Sequence, residues 1–197
     1  MPPELYIIIA GNIGTGKTSL ALELQNLLDG SRVFTEQKGR FVEKFYSDSG
    51  YAFLNQLDYS LQYLEHSLQI IACEGTVIQD RSIFDTHQVF SKMQMDAGNI
   101  SHEEYLLLSR LFSIAISVLE PNMLVFLDTT VGMSYERMTT RGDREESSVT
   151  KEYLRILREK YNEWYDKFNI CPKCKIETSS LRPGDIAKRV VQLLRNL

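Results

Sequence analysis

The sequence predicts a single α/β domain spanning residues 1–197 with a parallel β-sheet, and two observations support this. Short apolar stretches alternate with longer stretches of helical periodicity, which is the pattern of strands joined by crossover helices. The first apolar stretch leads directly into a glycine-rich motif at residues 11–18. No repeat, low-complexity tract or long linker interrupts the pattern, so one domain accounts for the 197 residues.

The individual elements follow from local patterns. Runs rich in β-branched and aromatic residues predict strands at residues 5–10, 32–35, 77–80, 123–128 and 175–178. Helical periodicity is clearest at residues 52–73, 102–119, 151–168 and 186–194. Ligands of open parallel sheets bind at the carboxyl ends of the strands, so residues just past these ends are candidates for chemistry.

The glycine-rich motif has the pattern G-x-x-x-x-G-K-[ST] of a phosphate-binding loop, and its members are Gly11, Asn12, Ile13, Gly14, Thr15, Gly16, Lys17 and Thr18. A strand precedes it and a helix follows it, as the motif requires. The backbone N–H groups of such a loop surround a polyphosphate that faces the helix N-terminus. Lys17 is expected to reach the terminal phosphates and the Thr18 hydroxyl to ligate Mg²⁺. The motif predicts a nucleoside triphosphate ligand.

Composition excludes several classes of function. The chain is 43% hydrophobic and 24% charged, as in ordinary soluble proteins, and its net charge of -4 argues against a nucleic-acid partner. No stretch has the length of a membrane span, and the N-terminus lacks the basic start of a signal peptide. An odd number of cysteines does not fit a secreted disulfide framework. We expect a cytoplasmic protein.

Cys171 and Cys174 form a lone C-x-x-C pair. A zinc site would need a second pair or histidines at short spacing, and His66, His87 and His102 are scattered. We interpret the pair as part of a loop that enters the last strand, without a metal or redox role.

Charged residues at two strand ends are predicted to face the phosphate-binding loop. Asp80 closes the third strand, where it can reach the Mg²⁺ near Thr18, and Arg81 can bind a phosphate oxygen or orient a carboxylate. Glu36 follows the second strand and can orient an attacking hydroxyl and take its proton. The alternatives are a structural ion pair for Asp80 and Arg81, and a solvated loop position for Glu36.

An arginine-bearing segment at about residues 137–150 is predicted to form a lid. Arg137 and Arg141 are four residues apart, on one face of a helix that Gly142 would end. Arginines that close over bound phosphates exclude water and stabilise the charge that is transferred. The alternative is an exposed helix end with surface ion pairs.

These motifs together resemble the deoxyribonucleoside kinases, P-loop enzymes that phosphorylate the 5′-hydroxyl of a deoxynucleoside. The similar segments are residues 11–18, 80–84 and 141–146, in the same order and with similar spacing. The resemblance implies a three-layer P-loop kinase fold, with a five-stranded parallel sheet flanked by helices and an arginine-bearing lid. It also implies ATP as donor, Mg²⁺, a role in nucleotide salvage and a homodimer formed through helices beside the sheet.

The resemblance extends to individual residues. It implies Glu36 as the general base, Asp80 as the acid associated with Mg²⁺, and Arg81 beside the reacting 5′-oxygen. It implies that Gln56 binds the edge of the nucleobase and that Tyr46 and Glu146 hold the sugar 3′-hydroxyl. Donor phosphates would contact Lys17 and the lid arginines Arg137, Arg141 and Arg144. Apolar faces for the base are predicted at Phe41, Phe45, Phe53 and Phe84, each with core packing as the alternative.

Three departures from the family pattern concern specificity and the lid. Tyr63 stands where many members have an arginine, and Thr86 stands where many have an aspartate. A neutral pair avoids a buried unpaired charge, so the base would be recognised by hydrogen bonds and shape, unless Asp85 supplies the carboxylate. The lid has Asp143 between Gly142 and Arg144, and Arg144 is predicted to substitute for the displaced arginine.

The segment around Asp80 resembles the bacterial deoxyadenosine and deoxyguanosine kinases, which favours a purine deoxynucleoside. Two other functions remain open at this point. A nucleoside monophosphate kinase of the thymidylate kinase type shares the loop and the Asp-Arg strand end, but it needs an additional basic site for the acceptor's phosphate. A regulatory nucleotide-binding module would lack acceptor-dependent ATP consumption; the Asn-Lys-x-Asp motif of GTPase switches is absent.

Overall fold

The computed structural model describes residues 2–195, which form a five-stranded parallel sheet of order β2-β3-β1-β4-β5. The strands are β1 Leu5–Gly11, β2 Arg32–Phe34, β3 Thr76–Asp80, β4 Met123–Asp128 and β5 Lys173–Glu177. Both neighbours of β1 pair with it in parallel. Because the strand order reverses on either side of β1, the carboxyl end of β1 is the switch point at which such sheets bind ligands.

The helices are α1 Lys17–Leu27, α2 Val42–Ser47, α3 Ala52–Ile70, α4 Ile83–Asp85, α5 Lys92–Asp96, α6 His102–Val118, α7 Val131–Arg141, α8 Lys151–Lys167 and α9 Pro183–Leu194. A π-helical stretch, Thr86–Ser91, joins α4 to α5, and a 3₁₀ helix, Arg144–Ser148, follows α7. No helix within residues 2–195 is long and apolar enough to cross a bilayer.

The two faces of the sheet are covered by different helices. In β1, Ile7 and Ile9 point to the face on which α1 and α9 pack, whereas Ile8 and Ala10 point to the face covered by α3 and α8. This alternation is the two-residue period of a strand whose two faces are both buried. The result is helix, sheet and helix in three layers, which confirms the predicted fold class.

The boundaries of three elements differ from the sequence prediction by more than one residue. Helix α3 ends at Ile70 and α9 begins at Pro183, so the first is shorter and the second longer than their periodicity indicated. Strand β5 begins at Lys173, which places Cys174 inside the strand and corrects the interpretation of Cys171 and Cys174 as a loop alone. Both are free cysteines, and burial raises the pKa of each thiol to about 11.

Candidate active site

The phosphate-binding loop has backbone conformations that require glycine. Gly11 has φ 152° and Gly14 has φ 75°, and a Cβ atom on them would lie 2.4 Å from the Leu127 carbonyl oxygen and 2.5 Å from that of Ser134, respectively. The loop is tied to α8 by Asn12, whose amide donates to the Leu154 carbonyl at 2.8 Å. The glycine conformations and this hydrogen bond hold the loop in the curved form that surrounds a phosphate.

Lys17 is held inside this loop. Its ammonium group donates to the carbonyl oxygen of Asn12 at 2.9 Å, and the residue is 8% exposed. Burial, followed by the charge of Arg81, lowers the pKa of Lys17 to about 8. An ammonium group that is poorly solvated gains a strong partner when a polyphosphate enters the loop.

The predicted metal-binding pair comes together at the start of α1 and the end of β3. The hydroxyl of Thr18 donates to Oδ2 of Asp80. Oδ1 of Asp80 is buried and has no hydrogen-bond partner within residues 2–195. That part of the chain contains no cluster of three or more acidic, histidine or cysteine side chains for a metal. One carboxylate and one hydroxyl fit Mg²⁺, which takes its other ligands from phosphates and water.

Glu36 and Arg81 form the central ion pair of the site. Nε of Arg81 lies 3.0 Å from Oε2 of Glu36. Arg81 has φ 61°, the only positive value for a non-glycine residue among residues 2–195, and its backbone N–H continues the sheet by donating to Ile9. Such a conformation costs on the order of 1–2 kcal/mol and persists only where surrounding contacts enforce it.

Contacts on three sides hold the Arg81 guanidinium. It donates to the Tyr161 hydroxyl at 2.6 Å, lies 3.6 Å from Asp85 and stands 4.9 Å from the centre of the Phe90 ring. Tyr161 in turn donates to Oδ2 of Asp85 at 2.8 Å. The guanidinium is therefore fixed in a water-poor environment, in which its charge acts strongly on a neighbouring phosphate.

Burial raises the pKa of the Glu36 carboxyl, while Arg81 and a hydrogen bond from Tyr63 act in the opposite direction. The Tyr63 hydroxyl donates to Oε2 of Glu36 at 2.8 Å. A carboxylate with a raised pKa is a better proton acceptor than an ordinary glutamate.

These groups open into one cleft of about 430 Å³. The sequence-predicted residues that line it are Ile13, Gly14, Lys17, Thr18, Glu36, Phe45, Tyr46, Gln56, Asp80, Arg81, Thr86, Arg141 and Glu146. The donor loop, the candidate base and the residues expected to contact the nucleoside thus share a single cavity.

Sequence reasoning missed several residues that line the cleft, among them Asn55, Tyr59, Phe90, Asp143 and Tyr153. Asn55 precedes Gln56 in α3, is 3% exposed, and its Oδ1 has no partner within the described residues 2–195. The signal that could have identified Asn55 is a polar residue directly after the apolar start of α3. Nothing in the local sequence distinguishes Tyr153 from the other tyrosines of α8.

Phe84 was predicted to contact the substrate, with core packing as the alternative, and the structure places it in the core. Phe84 is 1% exposed, does not line the cleft, and packs edge-on against Phe112 and Phe168 with ring centres 5.7 Å and 5.8 Å away. Phe41 and Phe53 do not line the cleft either. Phe84 lies in the short helix α4, and its side chain belongs to the core cluster on the α6 and α8 side of the sheet.

The predicted lid arginines occupy three different environments. Arg141 lines the cleft and forms ion pairs with Asp143 and Glu146. Arg137 instead donates to the carbonyl oxygens of Thr178, at 2.8 Å, and Gly14, at 3.4 Å. Arg144 is exposed and does not line the cleft, so the structure does not bring it to the position predicted for it.

Of the residues at the two family departures, Thr86 lines the cleft and Tyr63 does not, and Asp85 supplies no carboxylate to the cleft. Asp85 does not enter the cleft, because its Oδ1 accepts hydrogen bonds from the backbone and hydroxyl of Ser82 and its Oδ2 accepts one from Tyr161. Tyr63 is fully buried and contacts Glu36 instead of the cavity. Thr86 does line the cleft, so the base end of the cavity has neutral polar groups.

Comparisons with known proteins assign this chain to a family. The family model described as deoxynucleoside kinase matches residues 7–196. The chain is 28% identical over 182 residues to a deoxyadenosine/deoxycytidine kinase of Bacillus subtilis (strain 168), covering 89% of this chain and 83% of that protein. It is 31% identical over 162 residues to a deoxyadenosine kinase of Dictyostelium discoideum, covering 81% and 66%.

A solved structure of deoxyadenosine kinase from M. mycoides with bound dATP has the same fold. It superimposes with a TM-score of 0.81 and 22% sequence identity, over 97% of this chain and 100% of that one. The family match covers nearly the whole described chain, including the loop, the Glu36–Arg81 pair and the lid. This chain belongs to the deoxynucleoside kinase family and is a phosphotransferase that acts on a hydroxyl group.

Proposed function

We propose that this protein transfers the γ-phosphoryl group of ATP to the 5′-hydroxyl of a purine deoxyribonucleoside, and that deoxyadenosine is its preferred acceptor. The observation that carries the proposal is that the Glu36–Arg81 ion pair, 3.0 Å long, lines the same cleft as the loop lysine Lys17. A candidate base, a fixed positive charge and a phosphate-binding loop are the parts that phosphoryl transfer needs.

On the donor side, the loop amides and Lys17 bind the β- and γ-phosphates. Thr18 and the unpartnered oxygen of Asp80 would hold Mg²⁺, which neutralises phosphate charge when bound. Arg141 contacts the phosphates once it leaves Asp143 and Glu146. Arg137 supports the loop through its hydrogen bond to the Gly14 carbonyl oxygen. Each contact places positive charge where negative charge moves during transfer.

On the acceptor side, Glu36 takes the proton of the 5′-hydroxyl as its oxygen attacks the γ-phosphorus. The bond between that phosphorus and the bridging oxygen of ADP breaks, so the products are the deoxynucleoside monophosphate and ADP. Arg81 stabilises the transferring group from its fixed position beside Glu36. Its contacts to Tyr161 and Phe90 keep it from following the substrate.

The base end of the cleft supports the choice of acceptor. Oε1 of Gln56 accepts a hydrogen bond from the Ser91 hydroxyl at 3.3 Å, which directs its amide N–H₂ toward an acceptor on the base. Asn55 and Thr86 add uncharged polar groups. The adjacent ring nitrogen and amino group of adenine match such donors and acceptors. Among the relatives, one is named a deoxyadenosine kinase and another a deoxyadenosine/deoxycytidine kinase.

The sugar is proposed to lie between Tyr46 and Glu146, both of which line the cleft. Tyr46 is steadied by an edge-to-face contact with Tyr153, with ring centres 6.2 Å apart. Glu146 can accept a hydrogen bond from the 3′-hydroxyl when Arg141 leaves it for the phosphates. This arrangement connects the lid to the sugar, so lid closure and acceptor binding would favour each other.

The test is a coupled ADP-release assay with Mg-ATP and each deoxynucleoside, ribonucleoside and deoxynucleoside monophosphate as acceptor. We expect turnover of deoxynucleosides, with the highest kcat/KM for deoxyadenosine. Glu36→Gln should lower kcat about 10²- to 10⁴-fold, the range for loss of a general base. Glu159→Gln, an exposed position on α8, is the matched control. Turnover of a monophosphate alone would support the thymidylate kinase type and refute the proposal.

We also propose that the protein is a cytoplasmic homodimer assembled through α3 and α6. Half-exposed leucines recur every seven residues on α3, at Leu54, Leu61 and Leu68, and Leu107 and Ile114 of α6 are 50% and 52% exposed. These two helices pack together, and we propose that their exposed apolar side chains form one dimerisation face. Sedimentation velocity should give a dimer, which Leu61→Glu dissociates. The control Leu22→Glu, at a 49% exposed position on α1, should remain dimeric.

A further inference from the structure

Tyr63 has an environment unlike that of a residue that binds substrate. It lies two turns beyond Gln56 on α3, is 0% exposed, and does not line the cleft. A buried phenol needs a hydrogen-bond partner, and here the partner is the candidate base: the Tyr63 hydroxyl donates to Oε2 of Glu36 at 2.8 Å. The side chain reaches the reaction only through Glu36.

The two residues that bind Glu36 use the same oxygen. Arg81 Nε lies 3.0 Å from Oε2, and the Tyr63 hydroxyl donates to the same atom at 2.8 Å. Oε1 takes part in neither of these two contacts. A carboxylate held by one oxygen keeps the other oriented and available, which is the geometry that a general base needs.

Tyr63 is itself fixed by its neighbours. Its ring packs edge-on against His66 with ring centres 5.8 Å apart, and Nδ1 of His66 lies 3.3 Å from the side-chain amide of Gln79 on β3. Tyr63 is thus connected through His66 to strand β3 of the sheet. Glu36, in contrast, lies in the irregular segment after β2 and depends on such contacts for its orientation.

We infer that Tyr63 is a positioning residue for phosphoryl transfer: it fixes Oε2 of Glu36 so that Oε1 receives the proton of the acceptor hydroxyl. This inference rests on the proposed function, in which Glu36 is the base. It gives the tyrosine a role separate from recognition of the nucleobase.

The hydrogen bond also affects protonation. Burial and the charge of Glu36 raise the pKa of the Tyr63 phenol, so it remains a donor. The other groups that face Glu36 are Arg81 and Lys17, which favour its charged form, and Asp80, which disfavours it; Tyr59 is also close. Removing the Tyr63 hydroxyl withdraws stabilisation from the carboxylate, so the pKa of Glu36 rises further.

The experiment compares kcat, KM and the pH profile of kcat for wild type, Tyr63→Phe and Glu36→Gln. For Tyr63→Phe we expect kcat to fall about tenfold, part of the 10²- to 10⁴-fold that a general base contributes. The acidic limb of its profile should move to higher pH, while the deoxynucleoside KM and the order of preference among bases stay unchanged. Tyr165→Phe, on α8 outside the cleft, should match wild type in all three measurements.

The outcomes separate the inference from the proposed function. An unchanged kcat and pH profile in Tyr63→Phe, or a changed base preference at unchanged kcat, overturns the inference, while loss of activity in Glu36→Gln upholds Glu36 as the base. Full activity of Glu36→Gln refutes the proposed function instead. If Tyr63→Phe does not fold, 3,5-difluorotyrosine placed at position 63 preserves the shape. Its stronger donor should move the acidic limb to lower pH, and an unmoved limb overturns the inference.

Discussion

Lys17 provides a prediction whose size follows from the structure. Its pKa of about 8 in the free protein results from burial first and from Arg81 second. The charged fraction is then about 0.9 at pH 7, one half at pH 8 and about 0.1 at pH 9. A bound polyphosphate stabilises the ammonium form, so the free protein must take up a proton when ATP binds at alkaline pH.

The expected uptake at Lys17 is about 0.1 proton at pH 7, 0.5 at pH 8 and 0.9 at pH 9, because it equals the uncharged fraction before binding. Each pH unit above 8 should weaken ATP binding about tenfold, or about 1.4 kcal/mol. Isothermal titration calorimetry in buffers with different ionisation enthalpies measures both quantities. Stability of the fold is checked at each pH by circular dichroism.

The matched control is Lys17→Met, which keeps a side chain of similar length without the ammonium group. It should bind ATP weakly and show no rise in proton uptake between pH 7 and pH 9. Negligible uptake by wild type at pH 8, or an equal rise in Lys17→Met, would show that Lys17 is fully charged in the free loop. The contact with the Asn12 carbonyl would then compensate for burial.

Three further predictions test the placement of other residues. Phe84→Ala should lower the free energy of unfolding by about 3–5 kcal/mol in denaturant titrations, since it empties a core position; a changed KM at unchanged stability would contradict this. Asn55→Leu should raise the deoxynucleoside KM with little effect on kcat in steady-state assays, and an unchanged KM would show that the amide does not contact substrate. Asp143→Asn should lower the KM for ATP by releasing Arg141, and an unchanged or higher KM would argue against that competition.

Most of the donor site could be predicted from the sequence because its chemistry lies in the backbone of one short segment. The loop at residues 11–18 carries its own requirement for glycine, and the strand and helix beside it leave one possible geometry. Thr18 and Asp80, although 62 residues apart, meet because β1 and β3 are neighbours whose carboxyl ends lie at one edge. Parallel-sheet topology thus made this long-range contact predictable.

The acceptor site was less predictable because helices bring it together from several parts of the chain. Whether a residue of α3 faces the cavity depends on how α3 is rotated against the sheet, and a single sequence does not specify that rotation. Asn55 and Gln56 face the cavity, whereas Tyr63 lies outside it and contacts Glu36. For the same reason the sequence could not place Phe84, because its apolar side chain suits a base-stacking surface and a core position equally.

Asp85 shows that one unresolved alternative could have been decided from the sequence. Ser82 and Asp85 have the spacing of a capping box, and the structure contains both of its hydrogen bonds. An aspartate that caps the helix directly after Arg81 is committed to the backbone, and its second oxygen accepts from Tyr161. Turning it toward a nucleobase would take a buried partner carboxylate away from the Arg81 charge, which would cost several kcal/mol. Because Asp85 caps the helix, recognition of the base is left to neutral groups such as Thr86, the next residue, which lines the cleft.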